Sequence, residues 1–252
     1  MSNDHGQVVV VIPARGGSKR FPRKNIALLS GHPLLAYSIC AAQQAQTVDA
    51  VYVSTEDEEI AEVAKIYGAD VPFLRDIELA GDTITADEAV SDMVQRIVTD
   101  QNVVIDIVVL IQPTSPFVTS EQLDATVSML RNKQELDSVT TMCELDHRHH
   151  PYNLSFSGDD NCWDFIFKNE RKIARSRQSK PMALKFGNLF AARMDTMIRE
   201  GRFGENKGFV LIDSIYSWDI DYEWELNLAE VLITKQIVSL PHMDNILTTS
   251  NL

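Results

Sequence analysis

Val8-Val9-Val10-Val11-Ile12-Pro13-Ala14-Arg15-Gly16-Gly17-Ser18-Lys19-Arg20-Phe21-Pro22-Arg23-Lys24-Asn25 is the stretch whose reading decides the fold. Val8 to Ile12 is an unbroken apolar run, the pattern of a strand buried on both faces. It stops at Pro13, and the loop that follows carries two adjacent glycines and five cations: Arg15, Lys19, Arg20, Arg23 and Lys24. Gly16 and Gly17 are expected to take positive φ and to let a ligand approach main-chain N–H groups. The formal net charge of the chain is −13, so this basic island is a local feature. Cations massed on a glycine loop suit a polyphosphate. Neither the Walker pattern nor the dinucleotide fingerprint is present. The stretch reads as a nucleoside triphosphate loop. A basic surface turn is the plainer alternative, but it leaves the coincidence of strand, double glycine and cation cluster without a cause.

The bulk of the chain agrees with an enzyme-sized α/β domain. With 252 residues, 44% of them hydrophobic, it can bury a full core as one domain with an appended segment. No run approaches the roughly 20 apolar residues of a membrane-spanning helix. Met1-Ser2-Asn3-Asp4-His5 lacks a basic and an apolar region, so no signal peptide is expected. Cys40, Cys143 and Cys162 are too few and too scattered for a disulfide framework or a zinc site, which fits a reducing compartment. The acidic balance argues against nucleic acid as a partner. A cytoplasmic protein without membrane association is the expectation.

Along the chain, strands alternate with helices, the signature of βαβ units and a largely parallel sheet. Residues 33–46 read as a helix opened by Pro33, Ala50 to Ser54 as a strand, and Thr55 to Ile60 as the acidic opening of a helix ending near Tyr67-Gly68. Val71 to Leu74 is expected as a third strand, Thr85 to Thr99 as a helix and Asp106 to Ile111 as a central strand. That strand runs into Gln112-Pro113-Thr114-Ser115-Pro116, a stiff loop at the sheet edge where open α/β folds bind ligands. A helix over 120–132, a strand over 138–143, a strand over 209–212 and a helix from Glu223 to about Lys235 complete the rhythm. Residues 145–182 interrupt it and read as an inserted arm. Its His147, His149 and His150, with no cysteine or carboxylate cluster beside them, read as a polar loop rather than a metal site. Asp219-Ile220-Asp221 follows the last strand. In extended backbone its carboxylates share one face about 7 Å apart, and such hard oxygen ligands suit Mg²⁺.

The loop Ala14-Arg15-Gly16-Gly17-Ser18-Lys19, with Pro22, Lys24 and Asn25, resembles the signature of the CMP-sialic acid synthetase (acylneuraminate cytidylyltransferase) family. The resemblance continues in blocks to about Glu230, through 53–61, 68–75, Leu79-Ala80-Gly81-Asp82-Thr83, residues 110–117 and the Asp219-Ile220-Asp221 block. It implies a Rossmann-like nucleotide-diphospho-sugar transferase fold in a single domain, residues 1–252, with 145–182 as a dimerisation and sugar-binding arm and a homodimer as the assembly. It implies attack by a hydroxyl of a nine-carbon α-keto acid sugar on the α-phosphate of CTP, with release of pyrophosphate. Carried over residue by residue, Ala14 to Lys19 would hold the nucleotide, with Arg15 and Lys19 on the triphosphate. Asn25 and Arg75 would seat the cytidine, and Gln112 would meet the acceptor. Arg175, Arg177 and Gln178 would meet its carboxylate, a task that suits a planar charged fork. Asp219 and Asp221 would hold Mg²⁺, with Asp219 taking part in the chemistry. One block departs from the pattern: Gly187-Asn188 stands where relatives read Asn-Gly. The acceptor therefore stays open among sialic, pseudaminic or legionaminic type acids, an octulosonate or a phosphonate. A non-catalytic nucleotide-binding module is the rival from another class.

Overall fold

A computed structural model describes residues 6–244 and 246; the start of the chain, on which the reading of an absent leader rests, lies outside the described residues. In chain order the elements are β1 (Gln7–Pro13), β2 (Leu28–Leu29), β3 (His32–Pro33), α1 (Leu34–Gln44), β4 (Ala50–Ser54), α2 (Glu58–Ile66), α3 (Ala86–Gln101), β5 (Ile105–Ile111) and α4 (Ser120–Asn132). Then come β6 (Ser138–Glu144), β7 (Ser155–Ser157), β8 (Trp163–Phe165), α5 (Lys168–Ile173), β9 (Leu184–Arg193), α6 (Met194–Glu200), β10 (Lys207–Leu211) and α7 (Glu223–Thr234). Six of the strands form one sheet in the order β10-β6-β9-β5-β1-β4. β1 pairs in parallel with β4 and β5, and β10 pairs in parallel with β6. β9 is antiparallel to both β5 and β6, which makes the sheet mixed.

The valine run explains itself once the layers are known. Val8, Val10 and Ile12 face a core that holds Leu35 and Ile39 of α1, Ile60 of α2, and Leu123 and Val127 of α4. Val9 and Val11 face the opposite core with Val90, Met93 and Ile97 of α3 and Met197 of α6. All five side chains are fully buried, each stabilising the fold by about 1.5–3 kcal/mol. A third cluster packs Ala229 and Leu232 of α7 against Leu29, Leu34, Tyr37, Phe117 and Ile220. Helix starts are set by side-chain caps. Asp57 accepts from the Ile60 N–H, while Thr85 and Thr119 each close a capping box with Glu88 and Gln122. Caps of this kind contribute about 1 kcal/mol.

Two expectations are corrected. Val71 to Leu74 is not a strand. Only Asp70 bridges to Tyr52, its N–H donating to Val51 O and its carbonyl accepting from Val53 N–H. Pro72 lacks the N–H needed to carry the ladder on. The block around Gly187-Asn188 lies inside β9 rather than ahead of a strand, and the sequence reading did not foresee β9 as the antiparallel centre of the sheet. The 145–182 insert is a hairpin of β7 and β8 followed by α5, with Phe156, Trp163, Ile173 and Met182 exposed.

One buried histidine ties stability to pH. His242, in the turn Pro241–Met243 beside α1, is 2% exposed and its Nε2 has no hydrogen-bond partner among the described residues. Burial lowers its pKa from 6.5 to about 4, against the opposing charges of Glu121 and Asp244. The unfolded chain therefore takes up this proton first. The site's stabilising contribution is complete above pH 6.5 and is lost as pH falls through 4, a swing of up to roughly 3 kcal/mol. His242→Gln is expected to flatten that part of the unfolding profile between those two pH values, as read by denaturant titration; parallel wild-type and variant profiles would contradict the assignment.

Candidate active site

The loops after β1, β4 and β5 all emerge at one edge of the sheet, together with the segment 219–221. They enclose a cavity of about 500 Å³ lined by Arg15, Ser18, Lys19, Lys24, Asn25, Arg75, Gln112, Thr114 and Asp221. Ala14 is buried beneath it, its N–H donating to Ser54 O at 2.9 Å. Asn25 is buried too, and its Nδ2 donates to Arg15 O at 2.9 Å, which fixes the turn of the loop. Neither Gly16 nor Gly17 takes positive φ. The Gly16 N–H donates to Glu56 Oε1 at 2.8 Å. A Cβ on Gly16 would stand 2.5 Å from Asp57 Oδ2, whereas one on Gly17 would meet nothing within 4 Å. Close approach, not a left-handed turn, is what requires the first glycine.

The five loop cations divide by role. Arg23, in the left-handed region at φ 58°, is held by Asp57 and Glu59 at the opening of α2, an anchor for the loop. Arg15 and Lys19 both reach Asp82, Arg15 Nη1 at 3.1 Å. Lys24, 17% exposed at its side chain, donates to Ile220 O at 3.0 Å and Asp221 Oδ1 at 2.8 Å. Arg20 stands 3.6 Å from the other oxygen of Asp221. Arg20, Arg23 and Lys24 are the cations that the sequence reading left without a task, although Lys24 sits next to Asn25 in the same motif. Arg75 pairs with Glu56 at 2.8 Å and not with the acidic surface at 76–78. Its guanidinium is buried, and Nε has no hydrogen-bond partner among the described residues, as is also true of Asn25 Oδ1.

A second and larger cavity of about 1110 Å³ lies on the other side of the 219–221 strap. It is lined by His147, His149, Arg177, Gln178, Lys180, Lys185, Trp218 and Asp219, among others. Within the strap Ile220 is buried, and the two flanking carboxylates divide, Asp221 bordering the first cavity and Asp219 the second. Desolvation raises the Asp219 carboxyl above the ordinary carboxylate range, although the residue as a whole is exposed. The charge of Asp221 adds to this, while a hydrogen bond from Thr114 and the Lys24 ammonium oppose it. Asp213 caps the turn leading into the strap by accepting from the Ile215 N–H at 3.1 Å. Of the three histidines, His150 is a buried brace that accepts from the Tyr152 N–H and contacts Pro181 O. Gln112 borders the first cavity rather than the second. Arg175 borders neither of them, and its Nε donates to Lys172 O.

Two cavities thus share one acidic wall at the loop edge of a mixed α/β sheet. The cytidylyltransferase family profile matches residues 9–205. A pseudaminic acid cytidylyltransferase of Campylobacter jejuni is 31% identical over 224 residues, covering 88% of this chain and 94% of that one. A CMP-N,N'-diacetyllegionaminic acid synthase of Legionella pneumophila is 44% identical over 134 residues, 53% of this chain and 54% of that one. Among solved structures, a CMP:2-keto-3-deoxy-manno-octonic acid synthetase complexed with CTP superposes with a TM-score of 0.70 at 16% identity, covering 91% of this chain and 99% of that one. The chain belongs to the cytidylyltransferase family.

Asp82 holds two of the cations that face the first cavity, Arg15 and Lys19. Asp82→Asn is expected to tighten CTP binding by about two- to fivefold, the range of an exposed ion pair, as read by calorimetry without acceptor. Weaker binding would show that Asp82 serves the nucleotide rather than opposing it.

Proposed function

We propose that this cytidylyltransferase activates a nonulosonic acid with CTP, giving the CMP-sugar and pyrophosphate. The observation that carries the reading is the Asp219–Asp221 strap as the common wall of a cationic cavity and a larger one. The names of the relatives, which specify pseudaminic and legionaminic acids, supply the acceptor class. CTP would occupy the first cavity, its triphosphate on Arg15, Lys19 and Lys24, and its cytidine beside Asn25 and Arg75, whose unpartnered Oδ1 and Nε suit a polar base. The acid would occupy the second, its carboxylate within reach of Arg177, Gln178, Lys180 and Lys185. A sugar hydroxyl then forms a bond to the α-phosphorus as the bond to the pyrophosphate oxygen breaks. The Asp219 carboxylate, whose pKa is raised above the ordinary range, takes the hydroxyl proton. Lys19, with its neighbours, meets the charge that develops on the phosphoryl oxygens.

Mg²⁺ would be held by the strap, where Asp219 and Asp221 supply hard carboxylate oxygens beside the two cavities; this ion takes one or two carboxylates together with phosphate oxygens and water. When bound, it would neutralise charge on the α-phosphate and the leaving group. The exposed apolar side chains of the 145–182 insert support a homodimer formed through it. Its three thiols, Cys40, Cys143 and Cys162, all free, support a cytoplasmic setting. Among the described residues no helix is long and apolar enough to cross a membrane.

The deciding experiment is pyrophosphate release with Mg²⁺, comparing CTP with other triphosphates against nonulosonic and octulosonic acids. Release with CTP and a nonulosonate is the expected result. Release with only an octulosonate would move the acceptor, and none with any pair would overturn the reading. Asp221→Ala is expected to fold and to lose most turnover. Lys19→Ala should lower kcat by on the order of 10²-fold; a change confined to KM would make Lys19 a ground-state contact.

A further inference from the structure

Beneath the strap lies a buried polar knot centred on Asn188. Opposite Thr141 the register of β9 on β6 shifts: Thr140 pairs with Phe190, whereas Met142 pairs with Phe186. The Thr141 hydroxyl takes the place of the missing ladder partner, accepting from the N–H groups of Asn188 at 2.9 Å and Leu189 at 3.2 Å and donating to Asn188 Oδ1 at 3.0 Å. Gly187 is obligatory here, since a Cβ on it would lie 2.4 Å from Thr141 Oγ1. A bulge re-aims the side chain that it carries, and this one turns the Asn188 amide toward the loops. Its Nδ2 donates to Tyr216 O at 2.9 Å and to Gln122 Oε1 at 2.8 Å.

Both partners lead to Asp219. Tyr216 lies in the turn Ser214–Ser217 that runs into the strap. Gln122 caps the Thr119 N–H at the start of α4, just after the loop whose Thr114 carbonyl accepts from the Ile220 N–H, next to Asp219, at 2.9 Å. Ser217, also in the turn, is held by Cys143 and Ser214. Asn188 itself is 2% exposed and borders neither cavity. We infer that Asn188 is a positioning residue: it moors the 214–218 turn and the start of α4 to the bulged pair of strands, and thereby sets the Asp219 carboxylate where the two cavities meet.

This inference rests on the proposed role of Asp219, and its test keeps the two apart. Asn188→Leu preserves volume and removes the side-chain hydrogen bonds; Thr141→Ser keeps the hydroxyl and serves as the conservative control. The readouts are CTP affinity by calorimetry, Mn²⁺ binding to the CTP complex by electron paramagnetic resonance, kcat and KM separately, and thermal unfolding. Folded Asn188→Leu is expected to bind CTP within about threefold of wild type, to bind Mn²⁺ about tenfold more weakly and to lose about 10- to 100-fold in kcat, the range for groups that orient ligating side chains. Thr141→Ser should match wild type. Should Asn188→Leu fail to fold, Gln122→Leu, which removes one partner only, is expected to shift Mn²⁺ binding and kcat in the same direction by less. Unchanged Mn²⁺ binding and kcat in a folded variant would overturn the inference, as would CTP affinity falling in parallel with thermal stability. Asp219→Asn is measured alongside. If it retains turnover, the role of Asp219 falls; if it is inactive while Asn188→Leu is normal, only the mooring falls.

Discussion

Every part of the site depends on the removal of β1 from water on both faces. Val8, Val10 and Ile12 are committed to one core and Val9 and Val11 to the other, so the strand has no freedom of register or face. Its parallel neighbours β4 and β5 then end at the same edge. The loops that follow, 14–25, 55–57 and 112–116, are brought together by topology alone. None of them needs an attractive contact of its own to meet the others.

Electrostatics refines what topology assembles. Five of the 23 lysines and arginines lie in the 15–24 loop, and the fold gives each a carboxylate: Asp57 and Glu59 for Arg23, Asp82 for Arg15 and Lys19, Asp221 for Arg20 and Lys24. The pairs are not equivalent. Arg23 is fixed against the opening of α2 and shapes the loop. The Lys24 pair is recessed and joins loop to strap across nearly two hundred residues of sequence, while Asp82 stands on an open surface where solvent and salt weaken its hold.

The mixed sheet places the second half of the site. β9 runs antiparallel between β5 and β6, and its bulge at Gly187–Leu189 gives a buried amide that no regular ladder would supply. The insert and the strap border a cavity roughly twice the size of the first. Of the strap's two carboxylates, Asp221 holds the lysine and Asp219 borders the larger cavity, on either side of an Ile220 drawn into the α7 core.

The sequence by itself determined much of the strand–helix order, the buried first strand, the cation loop and the acidic strap, because these are written in local periods of apolar residues and in short runs of charge. Ala50–Ser54 and the caps at Thr85 and Thr119 follow from the same local chemistry. The tertiary structure alone decided what depends on residues far apart in the chain. Val71 to Leu74 looks like a strand, yet Pro72 and the want of a neighbour past Asp70 leave it a loop. Gly16 looks like a site for positive φ, and Asp57, forty residues on, shows that the constraint is steric. Asn188 looks like a lapse in a family block and proves to be the pin joining Gln122, Thr141 and Tyr216. Arg15 and Lys24 look alike in sequence, and only the packing of distant carboxylates distinguishes the cation facing Asp82 from the one holding the strap.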